Sequence, residues 1–170
     1  MRFARINLLR YGALTETALT FRPDAALHVV YGPNEAGKSS ALSAFSDLLF
    51  GFPDRTDQGF FHDAKDLRIA AELTGRDGRS LAFRRRKGRK NTLLADDDKE
   101  AALSDDALVP FLGGLDRLVF ERAFGLNSER LRKGADEMLE AGGEIGSLLF
   151  SAASGMMGLT KLRRSLEEDA

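Results

Sequence analysis

The sequence predicts an α/β fold: a mixed sheet with antiparallel hairpins around one central helix, followed by short helices. Three observations carry this. A short apolar run ending in glycine, "ALHVVYG" (26–32), leads through a glycine loop into helical spacing over 38–50. Alternating apolar and polar runs come in pairs joined by turn signals. The second half shows helical stretches divided by Gly113, Gly125, Gly134 and Gly142.

The elements follow in order. "RFARINLLRYG" alternates Phe3, Arg5 and Leu8 with polar neighbours, an edge-like strand that breaks at Gly12. "LTETALTF" (14–21) is its antiparallel partner. "ALHVVYG" reads as a buried strand. Leu42, Phe45, Leu48 and Leu49 share a helix face, and Gly51 with Pro53 stops that helix. Residues 53–64 read as a loop. "DLRIAAEL" and "RSLAFRRR" are strands around the turn signal Asp77-Gly78. A second turn at Lys87-Gly88 leads into the short strand "NTLL". Ser104 and Asp105 suit the first turn of a helix. Phe120, Phe124, Leu126, Leu131, Leu148, Leu149 and Phe150 read as core. In "LTKLRRSLEEDA", Leu159, Leu162 and Leu166 share one face with charges around them, as at the start of a longer helix cut at Ala170.

Composition narrows the class. The 170 residues carry 43% hydrophobic and 30% charged side chains, with a formal charge of −1. That suits one soluble domain with a real core and leaves nucleic-acid contact to a local patch. There is no cysteine, so no disulfide, and no run of signal-peptide or transmembrane character. The expected location is cytoplasmic, with no membrane partner.

The chemistry is concentrated in Gly32-Pro33-Asn34-Glu35-Ala36-Gly37-Lys38-Ser39, which matches G-x-x-x-x-G-K-[ST] without deviation. Glycines permit backbone geometry in which successive N–H groups converge on an anion. The helix that follows offers its free N–H groups and positive dipole end to the phosphates. Lys38 is expected to reach the β- and γ-phosphates, Ser39 to place its hydroxyl on Mg²⁺, and Ser40 to bond a phosphate oxygen. The expected ligands are ATP and Mg²⁺.

Other parts of an ATPase are not found. A metal-holding acid after an apolar strand has only weak matches, Asp96 in "TLLADDD" and Glu121 in "RLVFE", and both read as decoys. Asp-x-x-Gly and Asn-Lys-x-Asp do not occur, which argues against a GTPase. His62-Asp63 and the strand residue His28 are too few for a metal cluster.

The loop "GPNEAGKSS" and the opening "RFARINLLRYGALTETALTF" resemble the ABC-type heads of SMC, RecF, RecN and SbcC proteins. "HVVYGPNEAGKSSALSAFSDLLFGFP", "FFHDAKDLRIAAEL" and "FERAFGLNSERLRKGADEMLEAGGEIGSLLFSAASG" are similar to one branch, the bacterial YhaN-like AAA proteins. The resemblance implies a P-loop NTPase head split between the two ends of a long chain. Residues 1–158 would be the N-terminal lobe, with the opening hairpin, P-loop strand and helix in 1–52, antiparallel strands in 66–95 and a helical part in 104–158. Residues 159–170 would begin a coiled coil. The C-terminal lobe would bring the signature loop, the metal-binding Asp and the catalytic Glu, and two heads would clamp two ATP molecules. DNA and a nuclease are the implied partners, and DNA repair the implied setting.

One departure concerns the glutamine that senses metal and γ-phosphate in such heads. Its matching stretch is "AGGEIG" (141–146), where Gly142 stands in its place. Glu144 is the candidate replacement, acting through a water. The only glutamine is Gln58, in the loop after the helix. Arg68 resembles an arginine that approaches the γ-phosphate in similar heads, and Arg5 or Arg10 one near the nucleotide. Arg84, Arg85, Arg86, Lys87, Arg89 and Lys90 put six cations in seven positions, the candidate contact to a DNA backbone. On alternating strand positions they would project from both faces. The leading expectation is an ATP-binding lobe that barely hydrolyses by itself. A nucleotide-gated scaffold with little hydrolysis is the alternative, and a small P-loop kinase or transferase a weaker third.

Overall fold

In the computed structural model the chain divides into two compact units, Met1–Gly125 and Leu126–Ala170. The structure describes residues 1–125 together with Arg132. Glu144, the "AGGEIG" stretch and the helix expected over 159–170 lie outside the described residues.

The first unit is built on a five-stranded sheet of β1 (Arg2–Tyr11), β2 (Leu14–Thr20), β3 (Arg68–Thr74), β4 (Ser80–Arg86) and β5 (Leu93–Ala95) in the order β2-β1-β3-β4-β5. Every pairing is antiparallel. The hairpin turn at Asp77-Gly78 closes with Gly75 N donating to Arg79 O at 2.8 Å, and Asp77 Oδ1 accepts from Arg79 N at 3.1 Å. Helix α1 (Lys38–Phe50) covers one face. It is followed after β5 by the short helices α2 (Val109–Leu112) and α3 (Arg117–Ala123). Ser104 caps the 3-10 turn before α2, accepting from Asp106 N.

The core lies between α1 and the sheet. Ile6, Leu8 and Tyr11 of β1, Ile69 and Leu73 of β3, Phe83 of β4 and Leu93 of β5 meet Ala44, Leu48 and Leu49 of α1. Strict alternation would send Arg10 inward after Ile6 and Leu8. An irregularity in the β1–β3 register between Leu8 and Arg10 instead turns Tyr11 to the core and leaves Arg10 exposed.

Two expectations are corrected. β1 is not an edge strand, since it pairs with both β2 and β3. Its arginines mark a solvated face, and alternation reports faces rather than edges. Residues 26–32 do not form the buried strand, so among the described residues the sheet is antiparallel rather than mixed. Leu27, Val29 and Tyr31 are 78%, 72% and 90% exposed. An apolar run of this kind fits a strand that is paired and covered on both faces, and no described strand pairs with it.

The C-terminal end of α1 is held by arginines from other elements. Arg85 of β4 is 3% exposed, and its Nε and Nη2 donate to Leu48 O and Leu49 O at 3.0 and 3.2 Å. Arg117 of α3 donates to the carbonyls of Ser46 and Gly51. The carbonyls of Leu48 and Leu49 lie in the last turn, where no N–H within the helix reaches them, and cations favour the negative end of its dipole.

Candidate phosphate-binding loop

The loop over 32–40 runs directly into α1. Glu35 and Gly37 have positive φ, 66° and 83°. At Gly37 a Cβ would meet Leu14 Cδ2 at 2.8 Å, so backbone angle and space both demand glycine. Ala41 N donates to Gly37 O at 2.8 Å, which closes the first turn of α1. That turn contains no acid, so its positive end is not neutralised from within. Pro33, Asn34, Glu35, Ala36, Lys38 and Ser39 are exposed, and Gly32, Gly37 and Ser40 partly so. The Lys38 ammonium folds back over the loop, with Nζ donating to Gly32 O at 2.9 Å and Pro33 O at 2.6 Å. The nine residues thus form one largely exposed turn that leads into α1.

The β1–β2 turn packs against this loop. Leu14 touches Gly37, and a Cβ at Gly12 would lie 2.7 Å from Ser40 Oγ. Gly12 N donates to Gln58 O at 2.9 Å, which fastens the segment after α1 to the same turn.

Several of the other expected residues make contacts within the fold. Arg68 lies directly across from Arg10 on one side and Arg86 on the other. Its Nη1 is 3.6 Å from Glu100 Oε2, and Arg84 Nη1 donates to Glu100 Oε1 at 3.0 Å. Of the cations over 84–90, Arg84 pairs with Asp96 and Glu100, and Arg85 is buried on α1 and Asp105. Arg86 bonds the carbonyls of Asn91 and Lys90, and Lys87 those of Pro53 and Asp54. Arg89 and Lys90 are exposed. The patch is therefore a braced hairpin, with Arg85 sealed from solvent. Burial pushes the Arg85 guanidinium down from its usual range, and Asp105 opposes that. The acids of "TLLADDD" and "RLVFE" also have partners. Asp96 accepts from Arg84, and Glu121 accepts from Ser46 Oγ at 2.5 Å and from Arg117 at 3.3 Å.

Sequence reasoning missed a buried polar cluster behind the loop. Asp47 of α1 is 5% exposed and accepts from Tyr11 Oη at 2.7 Å and Arg117 Nη1 at 3.0 Å. Desolvation raises the Asp47 carboxyl above its ordinary range, against the opposing bonds from Tyr11 and Arg117. The signal was present: Asp47 follows Ala44 by three positions, on the helix face that carries the core. A carboxylate there demands a partner.

A family model described as "AAA domain" matches residues 1–170. The chain belongs to the AAA-domain family. That family implies an ATPase-type, nucleotide-binding domain. The Uncharacterized protein YhaN of Bacillus subtilis (strain 168) is 25% identical over 173 residues, covering 100% of this chain and 17% of that relative. The AAA-domain chain thus spans about a sixth of the relative's length. The YhaN-like resemblance read from the sequence agrees with both matches. Among the described residues no helix is long and apolar enough to cross a membrane.

Proposed function

We propose that residues 32–40 bind the phosphates of ATP with Mg²⁺, in the N-terminal lobe of an SMC/SbcC-like ATPase. The carrying observation is the loop's geometry: two positive-φ residues, a helix start without acids and Lys38 poised over the turn. This donor set fits a polyphosphate. Backbone N–H groups and an ammonium suit anionic oxygens, and the Ser39 hydroxyl suits a hard cation. Lys38 and the helix end supply positive charge, while Ser40 orients a phosphate oxygen. A phosphate-bound Mg²⁺ would polarise the phosphoryl group on which water acts.

A second lobe is part of the reading. The exposed apolar run at Leu27, Val29, Val30 and Tyr31 leads straight into the loop and suits a strand completed by the C-terminal lobe of the same protein. Hydrolysis would then need that lobe and head-to-head dimerisation. DNA contact rests on the exposed Arg89 and Lys90. The test is calorimetric binding of Mg-ATP to wild type and Lys38→Ala, with phosphate release by the 170-residue chain alongside. Binding that Lys38→Ala weakens at least tenfold, with release at background, is expected. Binding indifferent to Lys38 would reject the site, and turnover by the short chain would reject the split arrangement.

A further inference from the structure

The segment after α1 is fastened across the β1–β2 turn at two points. Gln58 O accepts from Gly12 N at 2.9 Å, and His62 Nε2 lies 3.2 Å from both Leu14 O and Thr15 Oγ1. Between these points Phe60 and Phe61 pack ring to ring at 5.1 Å, yet are 59% and 73% exposed. Two adjacent phenylalanines held outward by a pinned backbone form a standing aromatic face.

Gln58 also carries an unusual atom. Its Oε1 is buried and has no hydrogen-bond partner. A Cβ at Gly12 would lie 2.8 Å from that oxygen and 2.7 Å from Ser40 Oγ, so both groups crowd the same point beside the loop. A buried acceptor left unpaired is costly, and it marks a place where a donor belongs. The phosphate chain of a nucleotide offers only acceptors. Its nucleoside offers donors, the sugar hydroxyls and the base amino group.

We propose that residues 58–62 form the nucleoside subsite of the loop. Gln58 Oε1 accepts a hydrogen bond from a sugar hydroxyl or base amino group, and the Phe60–Phe61 pair gives the base an aromatic surface. This rests on the phosphate reading of residues 32–40. The close approach at Gly12 explains the glycine there: any side chain would occupy the space between Ser40 and Gln58.

The test is equilibrium binding of Mg-ATP and Mg-tripolyphosphate to the full-length protein, with a melting curve for each variant. Gln58→Ala should weaken ATP about five- to tenfold, the worth of one hydrogen bond, and leave tripolyphosphate unchanged. A Phe60→Ser/Phe61→Ser double variant, which removes exposed side chains, should likewise weaken ATP alone. In wild type, 2′-deoxy-ATP and GTP identify the donor: the analogue that reproduces the Gln58→Ala loss lacks it. Equal loss for both ligands would overturn the proposal by placing Gln58 on the phosphates or metal. No loss with either variant would overturn it too. If wild type binds neither ligand, the phosphate reading itself falls. Tripolyphosphate binding as tightly as ATP would sink the subsite alone.

Discussion

Tyr11 Oη donates to Asp47 Oδ2 at 2.7 Å, joining the inner strand of the sheet to the helix that starts at Lys38. The contact exists because the β1 irregularity turns Tyr11 inward. Arg117 bonds the other carboxylate oxygen at 3.0 Å, so strand, helix and α3 share one buried acid.

This acid gives stability a pH dependence. Burial holds the folded Asp47 pKa above its ordinary value of 3.8. Its contribution is complete below that value and is lost as pH rises through the raised one. Asp47→Asn should remove this component, so the difference in unfolding free energy between wild type and variant changes between acid and neutral pH. Denaturant melts in a pH series measure it, and a pH-independent difference contradicts it. Tyr11→Phe removes a bond that lowers the Asp47 pKa, so it should raise that pKa further. It should also cost about 1–3 kcal/mol.

Arg85 should behave as a core residue. Arg85→Met strands the carbonyls of Leu48 and Leu49 and should cost about 2–4 kcal/mol, read as a lower denaturant midpoint. Arg85→Lys should not restore it, because a single ammonium cannot reproduce the fork that reaches both carbonyls, Thr92 and Asp105.

Gly37→Ala should damage loop and fold together. The left-handed backbone alone costs about 1–2 kcal/mol, and the methyl group meets Leu14. Nucleotide affinity should fall with it. A Leu14→Ala background should recover part of the stability lost to crowding and none lost to φ.

The basic hairpin separates into two sets. Neutralising Arg84, Arg85 and Arg86 together should lower the melting temperature, since all three brace the fold. Arg89→Ala/Lys90→Ala should leave melting unchanged. If the hairpin contacts a nucleic-acid backbone, the double variant reduces both affinity and its salt slope. Titrations at several salt concentrations read both, and an unaltered slope removes DNA from these residues.

The sheet was legible where local chemistry decides it. Asp77-Gly78 specified a hairpin, and the alternation of "RRR" sent Arg85 and its neighbours to opposite faces. The sequence could not show that the inward arginine would serve as the cap of α1, because its partners lie 36 and 37 positions away. The strand expected over 26–32 rested on apolar character alone, which says nothing about whether a neighbour is present. The glycine loop over 32–40 and the helix that follows it were readable because the motif's spacing is a short-range constraint. Asp47 and the orphaned Gln58 oxygen depend on contacts far apart in the chain, and each looks ordinary in isolation.

Lys38 already rests on Gly32 O and Pro33 O. The loop therefore carries its own internal counter-dipole, and its one cation is held by two of its own carbonyls. Less side-chain freedom remains to be lost on association, so capture is closer to exchange than to folding. A phosphate bound as proposed would have to outcompete two carbonyls for the ammonium, which would favour doubly charged terminal phosphates over single anions. On the proposed reading, selectivity for polyphosphate over a monovalent anion such as chloride would be set partly by the loop's hold on its own lysine.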